Sequence, residues 1–454
     1  MNGPLKLDEL RKLVKNGAVD TIVTVFPDHY GRLMGKRVTA AHFLEYILPQ
    51  GMEACNYLLS VDMEMNPLSG FEMASWGKGY GDFHGVVDMA TLRLIPWLEA
   101  TALVFADLEW EAGGPVVQSP RAILRRQIDR AKQKGLHPMM GSELEFYLFR
   151  DNEDGCGCHG GESHSPSTDY LIDYHILGTT PDEDVIRQIR NGMNGANIPV
   201  EFSKGEWGKG QHEINLLYAD ALEMADRHAV YKNGVKEIAW LNGARATFMA
   251  KPEAGAAGSS FHLHVSVCDE SGKNNLFWDK RKKTGSTLFR QFLGGLLRYT
   301  QECFLFYAPT VNSYKRYLSN SFAPTKIAWG EDNRTTGFRV IGHGSSYRIE
   351  NRMPGADANP YMAYAAAIAA GLAGIEEELD SGDPYKGNAY QDDSLERVPM
   401  GLKEAANHLE QSCMARTAFG DEVVDHYVRL ARWECQAFDE SVTDWERRRY
   451  FERI

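Results

Sequence analysis

The chain has 454 residues, 43% of them hydrophobic, enough for one large domain with a filled core and a smaller one beside it. Acidic residues outnumber lysine and arginine by 62 to 49, a formal charge of -13, and no basic stripe gathers anywhere, which excludes nucleic acid as an expected partner. Its seven cysteines are scattered and odd in number and its first residues are polar and helix-like, so a reducing cytoplasm is the expected compartment.

Leu7, Leu10, Leu13 and Val14 recur at helical spacing up to Asn16-Gly17, and the β-branched and aromatic run Thr21 to Phe26 predicts a strand after the turn. Short strands and turns continue to about Asp107. Glu111 to Gln118, with Gly113, Gly114 and Pro115, then breaks the pattern and divides the chain into 1–112 and 113–454. Ser119-Pro120 opens a helix on which Leu124, Ile128 and Ala131 share a face, and Gly135 closes it. Gly141 to Phe149 reads as a strand. The polar loop Asp151 to Ser167 carries Cys156, Cys158, His159 and His164, but C-x-C-H lacks the C-x2-C spacing of a zinc knuckle, so a surface loop is expected. Ala219 to Leu241 reads as helix and Phe261 to Val267 as strand. The longest apolar run, Tyr361 to Ile375, is rich in Ala and Gly and ends in three glutamates. It predicts a buried helix rather than a membrane span.

Alternation across a strand puts Glu143 and Glu145 on one face with Leu144 and Phe146 in the core, and does the same for His262 and His264. A strand over Tyr347 to Met353 groups Arg348, Glu350 and Arg352 likewise. Each pair alone is more often a solvated strand face; three such faces in one chain point to a site. Glu206 and Glu213 flank the loop Trp207-Gly208-Lys209-Gly210-Gln211-His212, which can bend both carboxylates toward one cation. Five carboxylates and one imidazole make a hard, oxygen-rich set suited to Mg2+ or Mn2+. Arg316, Arg334, Arg339, Arg348 and Arg352 supply planar forks for carboxylate and phosphate.

In order and spacing, Gly141 to Phe146, Glu206 to Glu213, Lys251-Pro252, Gly258 to His264, Asn312 to Arg316, Asn333-Arg334 and Arg348 to Tyr361 resemble the conserved blocks of the glutamine synthetase family. The resemblance implies an α+β fold: an N-terminal β-grasp domain and a large catalytic domain with a curved antiparallel sheet flanked by helices. It further implies a homododecamer of two hexameric rings, with active sites shared between subunits. By motif match, Glu145, Glu206 and Glu213 would hold one metal ion and Glu143, His262 and Glu350 another. Gly258, Arg316 and Arg352 match the glutamate-binding positions. Arg334 and Arg339 match those gripping the transferred phosphoryl group, and Glu201, Tyr218, His264, Ser266 and Arg348 match those for ATP. A lysine common before the Arg-Ile-Glu motif is absent, and Ser345-Ser346 stands there.

Ammonia-using members resemble one another in a glutamate six residues after the arginine matched by Arg316, and here that residue is Phe322. Their Asp-Gly-Ser-Ser stretch is also missing between Tyr57 and Asp88. Losing carboxylates and gaining an aromatic ring favours an organic amine over ammonium. The pattern is similar to the branch that makes γ-glutamyl amides of alkylamines, ethanolamine, polyamines or aromatic amines. Phe322 is then either a wall of the amine pocket or a packing residue, and Glu64, Glu72 and Asp82 are the acids a polyamine would need. A true glutamine synthetase is the alternative, and a non-catalytic scaffold a third, disfavoured by six intact metal positions. Tyr390 lies near the adenylylated tyrosine of some bacterial relatives, but Gln391-Asp392-Asp393 departs from that pattern, so no modification is expected.

Overall fold

The structure, a computed structural model, describes residues 5–151 and 164–454. The helix Leu7–Lys15 is fixed at its start by the Glu9 carboxylate, which accepts from the Lys6 N–H at 3.0 Å, and it ends before Gly17, whose φ of 76° suits a residue without Cβ. It packs on a five-stranded sheet made of β1 (Thr21–Pro27), β2 (Leu33–Thr39), β3 (Met52–Cys55), β4 (Asp82–Leu94) and β5 (Thr101–Trp110), in the order β2-β1-β5-β4-β3. Side-chain alternation divides β5 between two cores. Ala102 and Val104 join Leu10, Ile22 and Phe43 under the helix, whereas Leu103 and Phe105 face the main core shared with the rest of the chain. The turn after Trp110, with Gly113 and Gly114 at φ of 89° and 90°, is the stretch at which residues 1–112 are expected to part from 113–454. Apolar side chains from both sides of it pack into the main core.

The larger sheet is built on β6 (His137–Asp151), longer at both ends than the strand expected from Gly141 to Phe149. Paired with it or completing the sheet are β7 (His164–Pro166), β8 (Val200–Gly205), β9 (Gln211–Leu216), β10 (Ala219–Asp220), β11 (Ala244–Thr247) and β12 (Phe261–Cys268). After a separate hairpin of β13 (Trp278–Asp279) and β14 (Thr284–Gly285), it is extended by β15 (Trp329–Glu331), β16 (Phe338–Ile341) and β17 (Arg348–Asn351). Its path runs β15-β16-β17-β12-β6-β9-β8, antiparallel except where β15 joins β16. The helix expected from Ala219 starts at Ala221, because Ala219–Asp220 pairs with β6 and the Asp220 carboxylate caps the helix by accepting from the Glu223 N–H at 3.2 Å. Cys156, Cys158 and His159 lie outside the described residues, as does the side chain of His164.

The Ala-rich run forms the buried helix Pro360–Glu376, and no helix among the described residues is long and apolar enough to cross a membrane. It lies against the helix Thr287–Tyr307 so closely that a Cβ on Gly295 would sit 2.1 Å from the Ala370 carbonyl oxygen.

Where the N-terminal sheet meets the C-terminal helix Asp421–Glu440, two buried imidazoles, His29 and His426, lie 6.4 Å apart. Burial pushes both down to about 3, helped by the charge of Arg32 for His29 and by His29 itself for His426. Both are neutral in the folded protein and titrate near 6.5 once unfolded. Their contribution to stability is therefore complete above pH 6.5 and falls, by up to about 1.4 kcal/mol per pH unit for each ring, as the pH drops toward 3. Denaturant midpoints from pH 7.5 to 5.5 should fall more steeply for the unaltered protein than for His29→Phe/His426→Phe; equal slopes would remove these rings as the cause.

Candidate active site

The register of five strands assembles the charged faces. His262 on β12 stands opposite Glu143 on β6, Glu145 opposite Glu213 on β9, and Glu350 on β17 lies between His264 on one side and Arg339 on the other. Leu144 and Phe146 are buried in the core, as alternation requires. One-residue slips would turn these carboxylates into the core, so the apolar partners that hold the register also hold the site.

Ligand atoms of Glu143, His262 and Glu350 lie within 4.8 Å of one another, as do those of Glu145, Glu213 and His262. The first trio is the expected set. In the second, His262 is shared, and Glu206 instead contacts Lys204 at 2.5 Å, although its charge acts on Glu145 and Glu213. Burial, then repulsion from neighbouring carboxylates, raises Glu145 and Glu213 well above the usual carboxylate range. Glu143 goes the other way: burial opposes its ionisation, but hydrogen bonding to His262 at 2.9 Å and His264 at 3.1 Å outweighs burial and holds it well below. Glu350, fully buried, is likewise held low against burial, chiefly by Arg352. Crowded carboxylates with raised proton affinity, beside a buried His262 Nε2 that has no hydrogen-bond partner, are the donor set a divalent cation requires.

Around this centre the other expected residues fall into separate groups. Arg316 and Arg352 are buried, and the Nε of each lacks a partner. Gly258 has no room for a side chain, since a Cβ there would meet Arg316 Cγ at 2.4 Å. Arg339 donates to Glu350 at 2.7 Å and to Asp332 at 2.6 Å, and Arg334 is exposed on the preceding turn. Glu201, Tyr218, His264, Ser266 and Arg348 line one cavity of about 440 Å³. Ser345 and Ser346, standing where the lysine is missing, line it too. Phe322 is 54% exposed and is not a packing residue within this chain. Its carbonyl accepts from Arg352 Nη2 at 3.2 Å, which ties it to one of the two arginines expected to bind glutamate. Glu64, Glu72 and Asp82 are all exposed in the N-terminal part.

Two contributors were passed over in the sequence. Gln211 is buried, and its Nε2 donates to Glu145 at 3.2 Å, to the Gly258 carbonyl at 3.0 Å and to Ser259 Oγ at 3.2 Å, so it aims a carboxylate and the Gly258–Ser259 loop together. It sits two residues before Glu213 on β9, and alternation alone would have found it. Phe202, 47% exposed, adds a second aromatic to Tyr218 in the cavity; only its neighbour Glu201 had marked the spot.

Residues 117–450 match the family description "Glutamine synthetase, catalytic domain". The chain belongs to the glutamine synthetase family. Relatives with curated functions span its whole length: a γ-glutamylethanolamide synthetase of Streptomyces coelicolor is 50% identical over 99% of this chain and 96% of its own. A glutamate–isopropylamine ligase of a Pseudomonas species is 37% identical over 98% of both chains. The solved structure of GmaS with ADP, 30% identical, superposes with a TM-score of 0.84 over 98% of this chain and 99% of that one. The family fold, an α+β arrangement with the small N-terminal sheet preceding the large one, is thereby established.

Proposed function

We propose that this enzyme is an ATP-dependent carboxylate-amine ligase that joins the γ-carboxylate of L-glutamate to a small organic amine, with ethanolamine or a similar alkylamine as the substrate class. The relatives make γ-glutamylethanolamide and ligate isopropylamine by name. The observation that carries the reading is Phe322, an exposed ring whose backbone carbonyl is held by Arg352, where ammonia users have a carboxylate.

ATP enters the cavity lined by Glu201, Tyr218, His264, Ser266 and Arg348, with the aromatic faces of Tyr218 and Phe202 available to its base. Arg316 and Arg352, with unspent Nε donors, hold the glutamate beside Gly258, whose missing side chain lets Arg316 approach the backbone. Glu143, His262 and Glu350 would hold one Mg2+ or Mn2+, and Glu145, Glu206 and Glu213 another. Ions bound there would neutralise the phosphate oxygens and polarise the terminal phosphorus. Arg334 and Arg339 stabilise the charge that develops as the γ-carboxylate attacks the terminal phosphate and ADP departs. The amine attacks the resulting acyl phosphate as a neutral base, loses a proton, and phosphate leaves. Catalysis is chiefly positioning and electrostatics.

Restoring a carboxylate with Phe322→Glu should raise kcat/KM for ammonium by roughly tenfold or more and lower it for ethanolamine by a similar factor, the scale of one well-placed charge in a partly dry site. ADP release with glutamate and a panel of amines measures both. Fastest turnover of the unaltered enzyme with ammonium would return it to the true glutamine synthetases.

The proposal includes a homododecamer of two hexameric rings, supported by apolar side chains left exposed at the C-terminal end, Phe438 at 43%, Trp445 at 56% and Phe451 at 84%. Light scattering should give about twelve times 50.9 kDa, and a monomeric mass would sink this part of the reading.

A further inference from the structure

Phe322 is held in a costly conformation. Its φ is 59° and that of Asn320 is 61°, so two residues with side chains occupy the left-handed region within one short turn. A turn of that kind relaxes unless its surroundings over-determine it. Two of the contacts that fix it fall on successive carbonyls: Arg352 Nη2 donates to Phe322 at 3.2 Å, and the Tyr390 hydroxyl donates to Ala323 at 3.0 Å. Arg352 is committed to Glu350 and to the glutamate site. The neutral phenol is the partner free to serve the turn alone.

Tyr390 is itself tightly placed. Its N–H donates to Asn388 Oδ1 at 3.1 Å, and the neighbouring Ala389 is fully buried. Asn333 Nδ2 donates to the Gly387 carbonyl at 2.9 Å, and Thr335 Oγ1 accepts from the Ala389 N–H at 3.0 Å. The turn that carries Arg334 therefore grips the segment that carries Tyr390, and Tyr390 grips the turn that carries Phe322. The charges of Arg352 and Arg316 act on the Tyr390 hydroxyl and oppose the rise in its pKa that burial causes.

Resting on the organic-amine reading above, we propose that Tyr390 is a positioning residue for amine selection: by holding the Ala323 carbonyl it fixes the strained turn that presents Phe322 to the amine. Tyr390 does not touch the reacting atoms. Its hydroxyl is spent on the backbone of the specificity turn.

Tyr390→Phe removes one hydroxyl and keeps the ring. A lost hydrogen bond of ordinary strength corresponds to about a fivefold change. The variant should show that rise in KM for ethanolamine, a flatter kcat/KM ratio between ethanolamine and ammonium, and KM values for glutamate and ATP within about twofold of the unaltered enzyme. Thr335→Val loosens the Tyr390 segment from the other side without touching the ring. It should move the ethanolamine KM in the same direction and by less, and it decides the matter should Tyr390→Phe fail to fold. Unchanged ethanolamine KM and selectivity in both variants, or equal rises in all three KM values, would overturn the role given to Tyr390. Fastest turnover of the unaltered enzyme with ammonium would instead overturn the organic-amine reading, a separate result in the same assay.

Discussion

Glu350→Ala should abolish turnover, with kcat lower by roughly three orders of magnitude or more, the scale seen when a preorganised charge at a reacting phosphate is removed. Glu350 is fully buried and does three things at once. It contacts Arg352, accepts from Arg339 Nη1 at 2.7 Å, and lies 3.6 Å from His262 Nδ1. Deleting its carboxylate removes the proposed metal donor and leaves the buried Arg352 guanidinium without its carboxylate partner, whereas Arg339 keeps Asp332; orphaning one member of a buried pair costs about 3–5 kcal/mol of stability. Loss of activity and loss of fold are separable. Glu350→Gln keeps the shape and one acceptor oxygen for an arginine but removes the charge, so it should fold better than the alanine variant and remain nearly as inactive. ADP release with saturating ethanolamine, read beside thermal midpoints, checks both. A glutamine variant retaining a tenth or more of the activity would remove Glu350 from the catalytic centre.

The site was legible in the sequence because strands have a period of two. Glu143 and Glu145, or His262 and His264, can be assigned to one face without knowing any partner. Which strands lie side by side was not legible from periodicity, since pairing of β6 with β12 joins residues more than a hundred positions apart; the family resemblance grouped Glu143 with His262 and Glu350 without giving that register. Side-chain commitments were the least legible. Nothing in the spacing shows that Glu206 contacts Lys204 at 2.5 Å, that His262 serves both clusters, or that Gln211 aims Glu145, because these depend on distances of an ångström or two across the sheet. Helices fared by their caps. Ser119-Pro120 marked the start of Pro120–Lys132 correctly, whereas the helix after Asn215 was expected two residues early because Ala219–Asp220 is claimed by β6. Phe322 was found as a substitution for an expected glutamate. Its left-handed backbone left no mark in the sequence, since Phe has no preference for that region.

Arg121→Met should destabilise the protein by about 3–5 kcal/mol, the cost of breaking a buried ion pair. Arg121 is 1% exposed and meets three carboxylates: Asp88 at 2.8 Å on β4, Asp107 on β5, and Asp226 at 2.9 Å on the helix Ala221–Leu241. Burial opposes its charge, yet Asp226 and Asp107 hold the guanidinium ionised well above its ordinary range. The residue thus ties the small sheet to the helices behind the active-site sheet, and Tyr361 continues the link by donating to Asp226 at 2.7 Å from the helix Pro360–Glu376. Methionine fills much of the volume but leaves Asp226 buried with that phenol as its one remaining side-chain donor among the described residues. Asp88 and Asp107 are less exposed to this loss because Arg125 contacts both, at 3.4 Å and 2.8 Å. The cost should therefore sit mainly on Asp226, and Arg121→Met/Asp226→Leu should recover part of it, since removing both members of a buried pair costs less than orphaning one. Denaturant unfolding of the two single variants and the double variant gives the coupling directly. Additive losses would show that the three carboxylates, and not the pair with Asp226, set the stability of the junction.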